Sequence, residues 1–274
     1  MEGLIDENVS CERATLGERD WIRAESILLD TILGNEVFIN FRCRITQTVI
    51  GNHVQIASKV TIGSKEKLTF IGDNSWIGAD ATILGGVHIG KYCVVGAYTL
   101  VGCDIPDYSI VYGREHLIIK PRVFADNGPP DFKNALFYNR RLKAQGKYLT
   151  CGEDKNYNSA EIIGNSYQMG QKNILIGNQR TGGSITFGDG VMIGNSNIFE
   201  GAGGIKIGSN TQIGNHVHLI SNSHDYHFSS LPMTFEPVRI GSNVSIEDFS
   251  ILLGGSSIPD GAIIRTGSFI RKNN

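Results

Sequence analysis

The chain has 274 residues, of which 41% are hydrophobic and 34 are glycines, so it can bury one large core or two ordinary ones. Its 25 basic and 27 acidic residues give a net charge of -2 without a long run of one sign, which argues against a nucleic-acid partner. The sequence contains neither a run of about 18 apolar residues nor a signal-like N-terminus. We therefore expect a cytoplasmic protein without a transmembrane segment.

A six-residue repeat organises the first part of the chain. Aliphatic residues stand at 71, 77, 83, 89, 95 and 101, usually followed by glycine. A strand has period two and a helix period 3.6, so a period of six predicts a parallel β-helix with three flat faces per coil. Small or β-branched residues at the fourth position after each aliphatic are predicted to point inward as well. They are Ser75, Ala81, Val87, Cys93 and Thr99.

The repeat continues back to Leu16 with two five-residue steps, at 28 to 33 and 45 to 50, and one nine-residue step from 62 to 71. The nine-residue step predicts a small bulge at a corner. The register is lost after Pro106, and we assign residues 1–120 to a first β-helix domain. The five cysteines, at 11, 43, 93, 103 and 151, form no CxxC pair, which favours reduced structural thiols.

Residues 121–160 lack the repeat and are predicted to be a linker. Pro129 to Asp131 can begin a helix and Gly146 can end it, which predicts one α-helix at about 131–146. Its basic residues are either a solvated face or a patch that contacts phosphate. They are Lys133, Arg140, Arg141, Lys143 and Lys147.

A second β-helix domain is predicted for residues 161–274. Its inward register is read through Ile163, Met169 and Ile176, then from Phe187 to Ile213, and again from Ile240 to Ile270. Small residues reappear at the fourth position of the later hexads. The fold class is therefore all-β, with two tandem β-helices.

The largest interruption of the repeat is residues 220–239, which carry His224 and His227. A loop expelled from a regular coil costs ordering entropy without adding stacking contacts, which favours a functional role. His216 and His218 precede the loop and are predicted to be solvated, at a corner and on an outward face. The four histidines lack the spacing of about 18 residues that stacks side chains on one face, so we expect no metal site, with zinc as the alternative.

Two segments of the second domain closely resemble the left-handed β-helix acyltransferases with hexapeptide repeats. They are residues 203–227, GGIKIGSNTQIGNHVHLISNSHDYH, and residues 237–244, PVRIGSNV. That family includes galactoside, maltose and serine acetyltransferases and sugar O-acetyltransferases. The resemblance implies left-handed coils, a homotrimer, acetyl-CoA as co-substrate and His224 as catalytic base. His227 is the alternative base, and a third possibility is that neither histidine is catalytic.

For the acceptor, the resemblance implies a contact from Asn195, which is equally explained as a plain corner residue. The loop residues Asn222, Asp225 and Tyr226 could hydrogen-bond a polyol, an amino sugar or an amino acid. The first domain retains the sequence motifs that lie beside the coenzyme in the family. The second domain departs from these motifs and has polar or charged side chains in their place. The coenzyme candidates are Trp76, Ala79, Ala97 and Lys120 in the first domain and Asp248, Arg265, Thr266 and Lys272 in the second. Arg265 and Lys272 are equally explained as ordinary solubilising charges.

The function implied is acetyl transfer to a sugar hydroxyl, most simply of a bacterial surface polysaccharide or its precursor. One alternative is an N-acetyltransferase that acts on a nucleotide-linked amino sugar, and another is a non-catalytic scaffold or binding module. Because only the second domain has the histidine loop, that domain is favoured as the enzyme. A site shared with the first domain stays open.

Overall fold

The computed structural model describes residues 3–125, 156–177, 183–228 and 231–272. Every regular element in these ranges is a β-strand, and they include no helix of the length and hydropathy needed to cross a membrane. The chain divides into two compact units, of residues 1–150 with 226–231 and of residues 151–225 with 232–274. The predicted linker helix at about 131–146 and its basic residues lie outside the described ranges.

Sixteen strands are described in the first unit, most of them two or three residues long. They are β1 (Leu4–Ile5), β2 (Ser10–Glu12), β3 (Trp21–Ile22), β4 (Ile27–Leu33), β5 (Phe38–Ile39), β6 (Arg44–Ile50), β7 (Gln55–Ile56), β8 (Thr61–Ile62), β9 (Thr69–Ile71), β10 (Trp76–Ile77), β11 (Thr82–Ile83), β12 (His88–Ile89), β13 (Val94–Val95), β14 (Leu100–Val101), β15 (Ser109–Tyr112) and β16 (Ile118–Pro121).

The second unit contains the remaining strands. They are β17 (Tyr157–Asn158), β18 (Glu161–Ile163), β19 (Tyr167–Met169), β20 (Ile174–Ile176), β21 (Ser184–Phe187), β22 (Val191–Ile193), β23 (Ile198–Glu200), β24 (Ile205–Ile207), β25 (Gln212–Ile213), β26 (His218–Ile220), β27 (Asn222–His224), β28 (Met233–Phe235), β29 (Val238–Ile240), β30 (Ser245–Ile246), β31 (Ile251–Leu253), β32 (Ser257–Ile258), β33 (Ile263–Ile264) and β34 (Phe269–Ile270).

The first unit is a β-solenoid of stacked parallel coils. One face is the parallel series β1-β3-β5-β7-β10-β13-β15, and the other two faces form one sheet because β4 and β6 each run through a corner. At the far end β16 returns antiparallel to β15 and covers that edge. The all-β solenoid is therefore confirmed for the described residues, while the left-handed winding stays a prediction.

The predicted inward register of the first unit is confirmed. The six aliphatic residues from Ile71 to Val101 are all at most 2% exposed, and so are Ser75, Ala81, Cys93 and Thr99 among the small inward residues. Strand alternation explains this result, since one residue of each two-residue strand faces the core and its neighbour faces outward. Each buried aliphatic side chain contributes about 1.5–3 kcal/mol.

The irregular steps of the repeat correspond to coils of unequal length. Paired corner residues are 17 positions apart in the early coils, as in Glu25 and Arg42, and 21 apart from Asn52 to Asp73. The five-residue steps lie inside β4 and β6, where Asp30 and Gln47 adopt positive φ of 50° and 45° and tighten the corner. The nine-residue step adds the exposed residues 65–68.

Side-chain oxygens at one corner satisfy backbone amides that no strand partner reaches. In the first unit the amides of Glu18, Asn35 and Asn52 donate to the side chains of Asn35, Asn52 and Asp73 at 2.8–2.9 Å. The second unit repeats this ladder from Gln171 through Asn195 and Asn215 to Asp248, with distances of 2.7–2.8 Å. The ladder keeps successive coils in register.

The second unit is also built of stacked parallel coils, with three separate faces. They are the series β17-β20-β23-β26-β31-β34, β18-β21-β24-β29-β32 and β19-β22-β25-β30-β33. Most of the predicted register is confirmed from Phe187 to Ile258, since these aliphatic and aromatic side chains form one buried cluster.

Two positions of the predicted second register are wrong. Ile162, and not Ile163, packs against the core, because Ile162 pairs with the buried Ile185. Leu175 likewise takes the inward place that was predicted for Ile176, since it pairs with the buried Phe199. Both errors fall in runs of consecutive aliphatic residues, where hydrophobicity alone does not fix which side chain faces inward.

A core substitution tests the register. Ile77 is fully buried, and we expect Ile77→Ala to lower the free energy of unfolding by about 2–5 kcal/mol. Ile32 is 51% exposed on an outward position, so Ile32→Ala should change it by less than about 1 kcal/mol. Both tryptophans, Trp21 and Trp76, lie in the first unit, so their fluorescence during urea unfolding reports on it. Equal losses in the two variants would contradict the register.

Thiol reactivity gives a second test. Cys11, Cys43, Cys93 and Cys103 are thiols, and Cys151 lies outside the described residues. Burial raises the pKa of Cys93 to about 11, so at pH 8 this side chain remains the unreactive protonated thiol. We expect iodoacetamide at pH 8 to modify the exposed Cys103 and to reach Cys93 only after urea is added, as measured by peptide mass spectrometry. Modification of both at one rate in the folded protein would contradict this packing.

Candidate active site

The predicted loop 220–239, called here the histidine hairpin, contains a short antiparallel ribbon. Strand β27 pairs with β28 so that His224 lies opposite Met233, and the amide of Asp225 donates to the carbonyl of Pro232 at 2.9 Å. The side chain of His224 is half-buried, as are Asn222 and Asp225. The ribbon therefore gives the predicted base a defined backbone position.

The neck of the histidine hairpin is fixed by Ser221. Its hydroxyl and its amide both donate to the carbonyl of Glu200, at 2.7 and 2.9 Å, and its own carbonyl accepts from the amide of Glu236 at 3.0 Å. The amide of Gly203 donates to the Ser221 hydroxyl at 2.8 Å, and a Cβ added at Gly203 would overlap the Ser221 carbonyl oxygen. Only glycine permits this close approach of two backbones.

The tip of the histidine hairpin, residues 226–231, belongs to the first unit. His227 is exposed and its ring lies 4.3 Å from that of Tyr226, which is 39% exposed. His224 remains in the second unit. Tyr226 is therefore the most accessible of the three acceptor candidates on this hairpin.

A solvent-open groove of about 680 Å³ follows one face of the second unit. It is lined by residues of β19, β22, β25 and β30 together with glycines at the strand ends. Asp248 and Thr266, two of the predicted coenzyme contacts, lie along it. The lining glycines are Gly170, Gly194 and Gly214.

A carboxylate that the sequence reasoning did not select connects two other candidates. Glu247 also lines the groove and accepts hydrogen bonds from the Thr266 amide and hydroxyl at 3.0 Å and from Arg265 Nη1 at 2.9 Å. Lys272 pairs with Glu236 at the hairpin neck, at 3.2 Å. Arg265 and Lys272 are thus engaged with carboxylates of their own unit.

Two of the coenzyme candidates of the first unit, Ala79 and Ala97, lie close together. The amide of Tyr98 donates to the carbonyl of Ala79, which places Ala79 and Ala97 on adjacent coils. Lys120 lies 5.5 Å from the ring of Tyr112 and is exposed. Trp76 is half-buried and packs against Val94 and Leu231.

Asn195 and Asp248 both belong to the corner ladder of the second unit. Asn195 Oδ1 accepts from the amide of Gln171, and Asp248 Oδ1 accepts from the amide of Asn215. Asn195 is exposed, so part of its amide group still faces solvent. Their role in stacking the coils is established by these bonds, and their role toward a ligand stays a prediction.

The prediction for His218 is wrong. Its side chain does point outward from the strand, but it is completely buried and its Nε2 lies 3.2 Å from Glu200 Oε1. Ile174, Ile198 and Ile251 occupy the same outward row and are also at most 2% exposed. Three isoleucines in outward positions indicate that this face of the coils is covered. This pattern in the sequence would have predicted that His218 is buried. His216 lies exposed at a corner, with its ring stacked on Phe249.

The described residues contain no group of three or more His, Cys, Asp or Glu side chains arranged to hold a metal ion. His216 and His227 have aromatic neighbours, and His218 lies next to the carboxylate of Glu200.

Part of the repeat region matches a known protein family. Residues 69–103 match the family described as bacterial transferase hexapeptide (six repeats). The matched residues include the coils that carry Trp76, Ala79 and Ala97.

Individual relatives match part of the chain. It is 34% identical to galactoside O-acetyltransferase from Lactococcus lactis over 31% of this chain and 50% of that protein. It is 38% identical to serine acetyltransferase 2 from Arabidopsis thaliana over 38% of this chain and 31% of that protein. The chain thus spans half or less of the length of these relatives.

A solved structure with partial similarity is the acetyltransferase domain of PglB from Neisseria gonorrhoeae in complex with acetyl coenzyme A. The sequences are 23% identical, the TM-score is 0.39, and the match covers 43% of this chain and 56% of that one.

Glu247 gives a pH test of the groove. Hydrogen bonds from the Thr266 amide, then from Arg265 and the Thr266 hydroxyl, lower the pKa of the Glu247 carboxyl below its ordinary value. Because the folded pKa is lowered, this carboxylate stabilises the fold fully above its unfolded pKa and loses the effect as pH falls through the folded value. We expect an NMR titration of the Glu247 side chain to have its midpoint below the ordinary Glu range, and Arg265→Gln to raise it. An ordinary midpoint in both proteins would contradict this arrangement.

Proposed function

We propose that this chain is an acetyl-CoA-dependent acetyltransferase that acetylates a sugar hydroxyl, with His224 as the general base. The observation that carries the proposal is the histidine hairpin, which presents a half-buried imidazole on a two-stranded ribbon inserted between stacked coils of the second unit. Because of the insertion, one step of the corner ladder, from Asn215 to Asp248, spans 33 positions. No other step of the described ladder is as long.

The chemistry requires one proton acceptor and one stabilised oxyanion. As the acceptor oxygen attacks the thioester carbonyl, the His224 imidazole takes its proton, and the imidazolium returns that proton to the departing coenzyme A thiolate. Imidazole has an ordinary pKa near 6.5, which suits proton transfer in both directions at neutral pH. Backbone amides stabilise the tetrahedral oxyanion in this proposal.

The relatives support acetyl transfer as the reaction class. Two proteins that match at 34% and 38% identity are named as acetyltransferases of a galactoside and of serine. A sugar hydroxyl is favoured as the acceptor because Asn222, Asp225 and Tyr226 on the same hairpin supply hydrogen-bonding groups suited to a polyol. A bacterial surface polysaccharide or its precursor, modified in the cytoplasm, is the substrate class that we propose.

The coenzyme is placed in the groove of the second unit in this proposal. Its glycines let the extended pantetheine arm approach backbone amides, and Thr266 and Asp248 lie along its length.

The solenoids are proposed to wind left-handed and to associate as a homotrimer. Sedimentation velocity on the purified chain tests the trimer.

Turnover of histidine variants tests the proposed base. We expect His224→Ala to lower kcat by about 10²- to 10⁴-fold, because the acceptor proton then has no base in reach. His227→Ala should have a smaller effect, and the exposed His116→Ala is the matched control that should equal the wild type. Coenzyme A release is measured with galactosides, other glycosides, serine and a nucleotide-linked amino sugar as acceptors.

The outcomes of this assay separate the possibilities. Full turnover in His224→Ala removes the base assignment, and loss of turnover only in His227→Ala moves it to His227. Turnover with the amino sugar alone changes the acceptor from a hydroxyl to an amine. If the wild-type protein acetylates none of the acceptors, the enzymatic function is rejected.

A further inference from the structure

A buried arginine contacts the tip of the histidine hairpin. Arg122 is 4% exposed, its Nε donates to the carbonyl of Tyr226 at 3.2 Å, and one Nη donates to the carbonyl of Phe228 at 3.1 Å. The amide of Ala125 donates to the carbonyl of His227 at 2.7 Å. The segment 122–125 therefore supplies donors to three consecutive carbonyls, and His227 is the middle residue of the three.

The arginine itself is held in one orientation. Its other Nη donates to the carbonyl of Tyr92 at 3.1 Å, and its amide donates to the carbonyl of Tyr108 at 2.6 Å. The guanidinium lies 4.6 Å from the ring centre of Phe124, and the rings of Tyr92 and Tyr108 stack at 4.9 Å. A planar fork of donors fixed in this way determines where the accepting carbonyls lie, and hydrogen bonds from a charged donor are stronger than neutral ones.

An apolar contact secures the other end of the same segment. Leu231 is 3% exposed and packs against Val94 and Trp76 of the first unit. It adopts a φ of 46°, which a leucine takes only where its surroundings hold it there. The segment from Tyr226 to Leu231 is thus attached at both ends, by polar contacts at 226–228 and by a buried side chain at 231.

We infer that Arg122 is a positioning residue for the histidine hairpin. Its donors reach backbone carbonyls of the hairpin, so it acts on the histidines through the backbone that carries them. His227 lies between the two accepting carbonyls, and His224 precedes Tyr226 by two residues. This role rests on the proposed function, because it concerns the geometry of the base that the function requires.

The physical consequence is entropic. Without the two hydrogen bonds from Arg122 the hairpin tip samples more conformations, and the fraction with an imidazole in reach of the acceptor hydroxyl falls. A smaller fraction of productive conformations lowers kcat. Substrates are bound by other residues, so their binding is retained and KM changes little. The imidazole itself is unaltered, and therefore the pH at which activity appears should not move.

Substitution of Arg122 tests the inference. Arg122→Met retains much of the apolar volume and removes the donors, and Arg122→Lys retains the charge but not the fork. The matched control is Arg114→Met, which removes an equal charge from an exposed arginine that lies 4.5 Å from the ring of Tyr98. We expect kcat to fall about 10²-fold in Arg122→Met, less in Arg122→Lys and not in Arg114→Met, with KM within about threefold and an unchanged pH profile. Millimolar guanidinium should restore part of the activity of Arg122→Ala.

A measurement that does not use activity accompanies the kinetics. Amide hydrogen exchange at 226–228 and 231 should accelerate in Arg122→Met and also in Leu231→Ala, which removes the second anchor while leaving Arg122 intact. It should stay at the wild-type rate in Arg114→Met. Urea unfolding followed by far-UV circular dichroism establishes that each variant remains folded, because Trp76 packs against Leu231 and its fluorescence would respond to the anchor itself.

The two kinds of failure are distinguishable. Wild-type exchange rates in Arg122→Met, or accelerated exchange with wild-type kcat, would overturn the positioning role while leaving the proposed function intact. A shifted pH profile would also overturn it, because the arginine would then act on the titration of the base. If the wild-type chain acetylates no acceptor, the proposed function fails, and the exchange measurement alone decides whether the anchor exists.

Discussion

The structure depends on one constraint, which is that each coil must repeat the backbone path of the coil before it. Parallel strands of two or three residues form too few hydrogen bonds to be stable alone, so every coil relies on its neighbours for its backbone partners and its buried aliphatic row. Corners are the difficult points, because they interrupt the strand ladders. Asparagine and aspartate side chains such as Asn52 and Asp73 accept the corner amides, and residues such as Asp30 adopt positive φ to complete the turn.

The same constraint decides where function can be added. A strand cannot accept extra residues without moving its inward side chains to the wrong face, so insertions leave the solenoid at corners. The histidine hairpin leaves between β26 and β29, and the coils beside its neck carry Gly203 and Gly254 where a Cβ would meet the carbonyls of Ser221 and Glu236. The hairpin is therefore accommodated by glycines on two coils, and its ribbon gives the inserted residues a definite path.

Much of the fold could be predicted from the sequence because the repeat is local and periodic. The aliphatic register from Ile22 to Val101 follows from spacing alone, and the five-residue steps already marked the tightened corners of β4 and β6. The prediction failed where spacing was ambiguous, as at Ile163, whose neighbour Ile162 is equally aliphatic. It failed at His218 for a different reason: an outward position was assumed to be solvated, although isoleucines share its row.

The contacts around the site were less accessible from sequence. Arg122 and Tyr226 are separated by 104 positions, and no periodicity relates them. Glu247 was not among the predicted contacts, and the three hydrogen bonds that it accepts from Arg265 and Thr266 depend on the stacking of two particular coils. Periodic packing can therefore be predicted from one sequence. Contacts made by residues in the interruptions of the repeat become visible only in the structure.

The central claim is that an imidazole of the histidine hairpin removes the proton of the acceptor. A crystal structure of the full chain with coenzyme A and a bound glycoside tests it most directly. The account predicts a ring nitrogen of His224 at about 2.6–3.2 Å from a sugar hydroxyl that faces the coenzyme sulfur. A complex in which both substrates are bound and no imidazole of the hairpin lies within reach of a hydroxyl would contradict it.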